Sequence, residues 1–406
     1  MRESFQDGAR PLLPSKFPQA SRRLRLGFVG GGHGSFIGEV HAMGARLSNR
    51  WEVVAGALSS DPEVARQSGI EWLLPPDRIY TDYRKMAESE SSRPDGIDAV
   101  AITTPNDLHF SVASEFMRRG IDIICDKPLC NTLEEALDLV ELQRSTGLVF
   151  AVTYVYASHS MVRQFQEMVD TGAVGKIRQI HVEYFQEWAL QPPAQFEKGA
   201  IWRLDPKRVG PTFTTGDIGT HAHHLACFVS GLEMTELRAE FHVTGAPKSL
   251  EDTSFMHLRF EGNIPGTLMV SQAAAGTHCG IRLRIFGDKA GIEWNQETPE
   301  HLIFSPVGAP SQTILRGVGA GVGVAAGRFI RMPRGHPEAL TDAWANIYTE
   351  FAVAVDARRS GMTLPHGLLQ MPTVNEGAKG VKFNLAAAES NAAGGAWTNC
   401  LLSPRS

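Results

Sequence analysis

The run Gly30-Gly31-Gly32-His33-Gly34-Ser35-Phe36-Ile37-Gly38, placed directly after an apolar segment at 24–29, constrains this chain more than any other feature. Residues without a Cβ let the backbone turn tightly and let an anion approach peptide amides at the start of a helix, where the helix dipole favours negative charge. Between a strand and a helix, such a turn reads as a dinucleotide pyrophosphate cradle. Gly30 and Gly32 occupy the first two positions of the spacing G-x-G-x-x-G, but Ser35 occupies the third. Either Ser35 is accommodated there, or the loop is longer and Gly38 supplies the close helix contact. The expected cradle residues are Gly30, Gly32, His33, Ser35, Phe36 and Ile37.

The surrounding pattern supports this reading. Apolar runs at 24–29, 53–58, 97–103, 121–125 and 148–153 alternate with segments of helical spacing such as Leu108, Val112, Ala113 and Phe116. Near-continuous apolar strands separated by helices predict a parallel sheet covered on both faces. Thr132-Leu133-Glu134-Glu135 fits a capping box at a helix start. After about residue 150 the period changes to two, as in Ile180-Val182-Tyr184, Leu237-Ala239-Phe241-Val243, Met256-Leu258-Phe260 and Ile281-Leu283-Ile285. Half-buried, mostly antiparallel strands are the expectation there, in an open sheet whose second face suits a subunit interface. A loop is expected at 307–327 and helices near 337–358, with Pro337 in the first turn, and near 373–391.

Composition narrows the function classes. With 39 Lys+Arg against 44 Asp+Glu the net charge is −5, without the basic excess that nucleic-acid binding needs. No apolar stretch approaches the roughly 20 residues that span a bilayer, so no membrane partner is expected. The five cysteines (Cys125, Cys130, Cys227, Cys279, Cys400) form no C-x-x-C pair, as in a chain of the reducing cytoplasm. Arg22-Arg23 precedes apolar residues, yet the segment that follows is short, contains Arg25 and runs into the glycines, so it is read as the first strand rather than a signal. Residues 1–22 read as a loose arm.

Further candidate site residues stand at strand ends, where open parallel sheets bind ligands. Ser59 and Ser60 end the second apolar run, where an acidic residue would select NAD and a basic one NADP; two hydroxyls leave NAD or NADP open. Thr104-Pro105-Asn106 with His109 follows the third run, and Asp126-Lys127-Pro128 the fourth. The densest cluster is Gly216-Asp217-Ile218-Gly219-Thr220-His221-Ala222-His223-His224. Asp217 and His221 are four apart, so on an α-helix the carboxylate orients the imidazole as a general base. A metal site or a purely structural polar cluster are the competing readings, and no metal is expected because His221 and His223 face different ways.

In this order and spacing, the glycine turn, Thr104-Pro105-Asn106 with His109, Asp126-Lys127-Pro128 and Asp217-Ile218-Gly219-Thr220-His221 resemble the Gfo/Idh/MocA family, the group of glucose–fructose oxidoreductase and inositol 2-dehydrogenase. The resemblance implies an α/β chain: an N-terminal Rossmann domain (residues 23–150) and a C-terminal α+β domain (151–406) with a large, mostly antiparallel open sheet that builds dimers or tetramers. It implies NAD(P)-dependent hydride transfer at a sugar, glycoside or cyclitol hydroxyl or ketone, with Lys127 on the reacting hydroxyl, His221 as acid/base and Asp217 beside the substrate. Asn106, His109, Asp126 and Lys127 then lie near the nicotinamide. Tyr154, Trp202 and Arg203 are the further expected substrate contacts, an aromatic plane with a guanidinium being suited to a sugar ring; Tyr156, His159 and His336 are weaker candidates. Two departures bear on the substrate: Asp126 replaces the family's usual Glu, and His224 stands where many members carry Asp. Two other functions fit the same motifs, a glycosidase that oxidises transiently with held NAD and a non-catalytic nucleotide sensor; retention of Lys127, Asp217 and His221 argues against the sensor.

Overall fold

The computed structural model describes residues 17–18, 20–196, 200–317 and 322–402. The first half forms a five-stranded parallel sheet from β1 (Leu24–Gly30), β2 (Trp51–Ala57), β3 (Ala99–Thr103), β4 (Asp122–Cys125) and β5 (Phe150–Val152), in the order β2-β1-β3-β4-β5. Its strands are almost wholly buried, as apolar runs without alternation require. Helices α1 (Phe36–Leu47), α2 (Pro62–Glu71), α3 (Tyr83–Ser92), α4 (His109–Met117) and α5 (Leu133–Thr146) connect the strands. Thr132 caps α5 by accepting from the Glu135 amide. Strand order reverses between β1 and β3, and that switch point opens a crevice at their C-terminal ends.

The second half builds a nine-stranded sheet from β6 (Ile177–Phe185), β7 (Met234–His242), β8 (Thr253–Phe260), β9 (Ile264–Ser271), β10 (Gly280–Gly287), β11 (Ala290–Asn295), β12 (His301–Pro306), β13 (Gln312–Leu315) and β14 (Thr398–Asn399). The order is β13-β12-β11-β10-β6-β9-β8-β7-β14, antiparallel except for the parallel pair β6/β9. The period-two apolar residues Ile180, Val182, Tyr184, Met256, Leu258, Phe260, Ile281, Leu283 and Ile285 are all buried on one face. Helices α6 (Ser160–Asp170), α7 (Pro206–Val209), α8 (Thr220–Ser230), α9 (Val324–Gly327), α10 (Leu340–Ser360) and α11 (Val374–Ala392) complete the fold, with α6, α8 and α11 against that face. The other face carries charge pairs, Arg282 with Glu293 at 2.7 Å and with Glu183 at 3.6 Å, beside the half-exposed rings of Phe255 and Phe286.

Several details depart from the sequence reading. The expected loop at 307–327 contains β13 and α9, whose short Gly-rich flanks hide any periodicity. The helix expected from 337 starts at Leu340, after the non-helical Ala339. Most of the arm lies outside the described residues, yet Phe17 is buried against Phe329 and Arg22 grips both Asp98 oxygens at 2.7 and 2.8 Å, so its end is anchored rather than loose. A division at residue 150 falls within β5, and the C-terminal helices return to the first sheet. Trp344 of α10 packs on Gly44 of α1, Trp51 stacks on Phe351 at 5.1 Å, and the Trp51 indole donates to the Tyr348 carbonyl at 2.8 Å.

Candidate active site

A cleft of about 1090 Å³ runs from the end of β1 to the second sheet. Its first wall is backbone. Gly30 (φ +81°) and Gly31 (φ +76°) adopt left-handed conformations, and a Cβ on Gly30 would sit 2.9 Å from the Thr103 backbone, its partner across β1/β3. A Cβ on Gly38 would collide with the backbone of Gly31. Gly38 therefore makes the close turn-to-helix contact, and Ser35, at the third motif position, is the N-cap of α1, its hydroxyl accepting from the Gly38 amide at 3.3 Å. The first amides of α1 have no intrahelical acceptor and open toward the same cradle. A glycine-lined turn that only glycines can fill, ending at a helix N-terminus, fits a dinucleotide pyrophosphate.

His33, Ser35, Phe36, Ile37, Ser59, Ser60, Thr104, Pro105 and Asn106 line this half of the cleft with Gly30. Gly32 does not line it: it packs under Leu58, donating to the Leu58 carbonyl at 3.2 Å. His109 does not line it either. It is fully buried, with its two ring nitrogens on the carbonyls of Pro128 (2.9 Å) and Thr104 (2.8 Å), and so ties together the two strand-end loops that do. Asp61 caps α2, as its position before Pro62 suggests.

Lys127 and Asp126 enter from the end of β4, before the cis bond to Pro128. Asp126 turns away from Lys127 toward the Thr153 hydroxyl (2.7 Å) and the His41 imidazole (3.8 Å). Burial would raise its carboxyl, but His41, the Lys127 charge and Thr153 hold it well below the usual carboxylate range. Lys127 crosses the cleft: its Nζ donates to the Asp217 backbone carbonyl at 2.7 Å and to Asp217 Oδ1 at 2.8 Å.

The opposite wall is built on the segment before α8. Residues Thr215–Gly219 form a π-helical turn, which shifts Asp217 out of α-helical register with His221. The expected hydrogen-bonded Asp217–His221 pair is therefore absent among the described residues; the carboxylate is engaged by Lys127 and by Gln272 Nε2 (2.8 Å), with the Arg203 guanidinium at 3.8 Å. Burial works against that charge, yet Lys127, Arg203 and these hydrogen bonds keep Asp217 ionised well below the usual range. His221 is oriented instead by edge-on contacts with Tyr156 (4.8 Å) and Tyr154 (5.9 Å), and its Nδ1 is buried with no hydrogen-bond partner among the described residues. Burial, reinforced by the Lys127 charge, drives its basicity well below that of free imidazole, so the ring is neutral near neutral pH. The π turn is held from below by Glu251, which accepts from the amides of Phe213 (2.9 Å) and Thr215 (2.9 Å) and is pushed up to about 7 by burial.

Lys127, Asp217 and His221 thus face one cleft, joined by Trp202 and Arg203, the guanidinium lying 4.7 Å over the indole. Tyr154 does not reach it. Its ring stacks on His224 at 4.5 Å in the core, and the side chain beside it that lines the cleft is Tyr156. His159 and His336 are not on the wall, and His223 and His224 stack on Phe383 and Phe228, apart from His221. Sequence reasoning missed Tyr184, Gln186, Trp188, Arg208, Leu340 and Trp344, which also line the cleft, and Gln272 behind it. Only Gln186 and Trp188 carried a signal, as polar and aromatic residues at the end of a period-two strand.

A family profile described as an oxidoreductase family with an NAD-binding Rossmann fold matches residues 24–154, and the profile of the GFO/IDH/MocA C-terminal domain matches residues 162–293. The chain belongs to the Gfo/Idh/MocA family. Among Gfo/Idh/MocA proteins, "Uncharacterized oxidoreductase YfiI" of Bacillus subtilis (strain 168) is 32% identical over 383 residues, 93% of this chain and 97% of that one. A solved oxidoreductase from Sinorhizobium meliloti is 40% identical with a TM-score of 0.83, covering 93% of this chain and 99% of its own. An inositol dehydrogenase homolog from Azotobacter vinelandii, solved with NADH and myo-inositol, is 34% identical with a TM-score of 0.86, covering 95% and 99%. This Gfo/Idh/MocA protein is an oxidoreductase with an NAD-binding domain. No helix among its described residues is long and apolar enough to cross a membrane.

Proposed function

We propose that the protein oxidises a secondary ring hydroxyl of a cyclitol or sugar, and reduces the matching ketone, with NAD as its cofactor. The carrying observation is the ion pair between Lys127 of the first sheet and Asp217 of the π turn, in a cleft that His221 shares. Bound nicotinamide supplies the hydride acceptor. Lys127, mostly buried, spends two of its three N–H donors on Asp217 and keeps one for the substrate oxygen. His221, held neutral, takes the hydroxyl proton as general base and returns it in the reverse direction. Trp202 offers an apolar plane for the ring C–H face, and Arg203 reaches hydroxyls at its edge.

NAD is favoured over NADP by the residues at the end of β2. The cationic side chains on the cleft wall, Lys127, Arg203 and Arg208, all come from elsewhere, whereas Leu58, Ser59, Ser60, Thr81 and Tyr83 offer no charge to a 2′-phosphate. Assembly into a dimer or tetramer through the uncovered sheet face, in the cytoplasm, completes the reading; the charge pairs and half-exposed Phe255 and Phe286 on that face support it. The test is a panel of inositols and pyranoses assayed with NAD and NADP, following absorbance of the reduced nicotinamide. NAD reduction with at least one ring is expected, faster than with NADP. Failure of every ring with both cofactors rejects the proposal.

A further inference from the structure

Gln272 is the residue through which the second sheet grips the cleft. It follows β9 directly and is fully buried. Its backbone is pinned on both sides: its N–H donates to the Asp252 carbonyl at 2.8 Å, and its carbonyl accepts from the Ala189 amide at 2.8 Å. Its side chain is used completely. Oε1 accepts from the Thr214 hydroxyl at 2.9 Å, and Nε2 donates to Asp217 Oδ2 at 2.8 Å and to Gln186 Oε1 at 3.3 Å. Asp217, which can only accept, fixes which end of the amide faces it, and the Thr214 hydroxyl donates to the other; the reverse orientation would set a carbonyl oxygen against a carboxylate.

Asp217 is thus held by one oxygen from each side, Lys127 on Oδ1 and Gln272 on Oδ2. A carboxylate with one anchored oxygen can rotate; with both anchored it cannot, and the ammonium that points at it is aimed as well. The same amide reaches Gln186, whose Nε2 donates to the Tyr184 hydroxyl at 3.0 Å, itself 2.6 Å from the Tyr156 hydroxyl. A hydrogen-bonded chain therefore runs from Lys127 through Asp217, Gln272, Gln186 and Tyr184 to Tyr156, whose ring meets His221. Both chemical groups of the cleft are tied to one buried amide.

We infer that Gln272 is a positioning residue for the hydride-transfer reaction: it locks the Asp217 carboxylate and, through it, directs the Lys127 ammonium at the substrate oxygen. This rests on the dehydrogenase reading above. Gln272 lines no part of the cofactor cradle, so its effect falls on kcat and leaves NAD binding alone.

The experiment compares the unaltered protein with Gln272→Met, which keeps length and volume without a donor, and Gln272→Glu, which keeps shape but sets a second carboxyl against Asp217. Measured are kcat, KM for the ring substrate, NAD affinity by fluorescence titration, and thermal unfolding. Removing one partner of a hydrogen bond to a charged group corresponds to roughly a 10- to 100-fold change, so Gln272→Met is expected to lower kcat by about that factor with KM and NAD affinity within about twofold. Gln272→Glu is expected to be the slower of the two. Wild-type kcat in both variants overturns the inference, as does a loss of kcat, NAD affinity and melting temperature in parallel, which marks a purely structural amide. If Gln272→Met does not fold, Gln272→Glu decides by the same kcat-against-KM split. Absence of turnover in the unaltered protein instead overturns the dehydrogenase reading.

Discussion

The two walls of the cleft are held in different ways. On the side of the first sheet, the contour is set by backbone: Gly30 and Gly31 in left-handed conformations, Gly38 pressed on Gly31, and loop carbonyls tied by His109. On the side of the second sheet, it is set by side chains: Glu251 under the π turn, Gln272 behind Asp217, and aromatic rings around His221. A backbone-built wall binds whatever shares the common part of a dinucleotide and is damaged chiefly by adding atoms. A wall built of side chains is damaged by removing them, and it is the wall that can change substrate by exchange of residues.

The largest expected effect falls on the second wall. His221→Ala should lower kcat by roughly 10²- to 10⁴-fold, the usual worth of a general base, while NAD titration is unchanged. Equal losses in both would erase the division of labour between the walls. On the first wall, Gly31→Ala should destabilise the fold by about 2–4 kcal/mol through backbone strain and overpacking, read by denaturant unfolding, and should weaken NAD binding at least about tenfold. A variant that binds NAD normally would show that the turn tolerates a side chain.

A smaller effect concerns Glu251. Its carboxyl is pushed up to about 7 in the fold against an ordinary 4.5, so between those values the folded state holds a proton that the unfolded chain has released. Stability therefore falls as pH rises through that window, by at most roughly 3 kcal/mol, and Glu251→Gln should flatten the slope of melting temperature against pH. An unchanged slope would remove Glu251 as its source. Trp202→Ala is the mildest: loss of an aromatic plane is worth about 0.5–1.5 kcal/mol, a KM rise of a few-fold to about tenfold with kcat kept. A fall in kcat alone would place Trp202 in the chemistry rather than in ring binding.

The first sheet was the more legible part of the sequence. Its strands are buried on both faces, so apolar runs such as 97–103 mark them without reference to distant residues, and the glycine turn carries its own conformational signature. The second sheet showed its buried face through period two, but not the strand at Gln312–Leu315, where two polar residues followed by two apolar ones leave no period to read. At the site, Lys127, Asp217, His221, Trp202 and Arg203 were legible because they sit in short motifs. The partner of Asp217 was not: spacing of four suggested His221, and only the π turn, which has no sequence mark, hands the carboxylate to Lys127. Tyr154 and Tyr156 are two apart and alike in composition, and which of them faces the cleft depends on His224 packing against the first. Gln272 stands 55 residues from Asp217, beyond any local pattern.

Helix α10 carries a consequence for how the molecule comes into being. Trp344, Tyr348 and Phe351 cover surfaces of α1 and β2 around Gly44 and Trp51, and Leu340 and Trp344 complete the cleft beside the glycine turn. The nucleotide-binding half is finished by a helix that lies beyond the whole second sheet, from β6 to β13, in the chain. The Trp51 indole and the notch at Gly44 are therefore covered by a segment about 300 residues away in sequence. A shortened product ending before α10 would keep both family-matched segments and still leave that half unfinished.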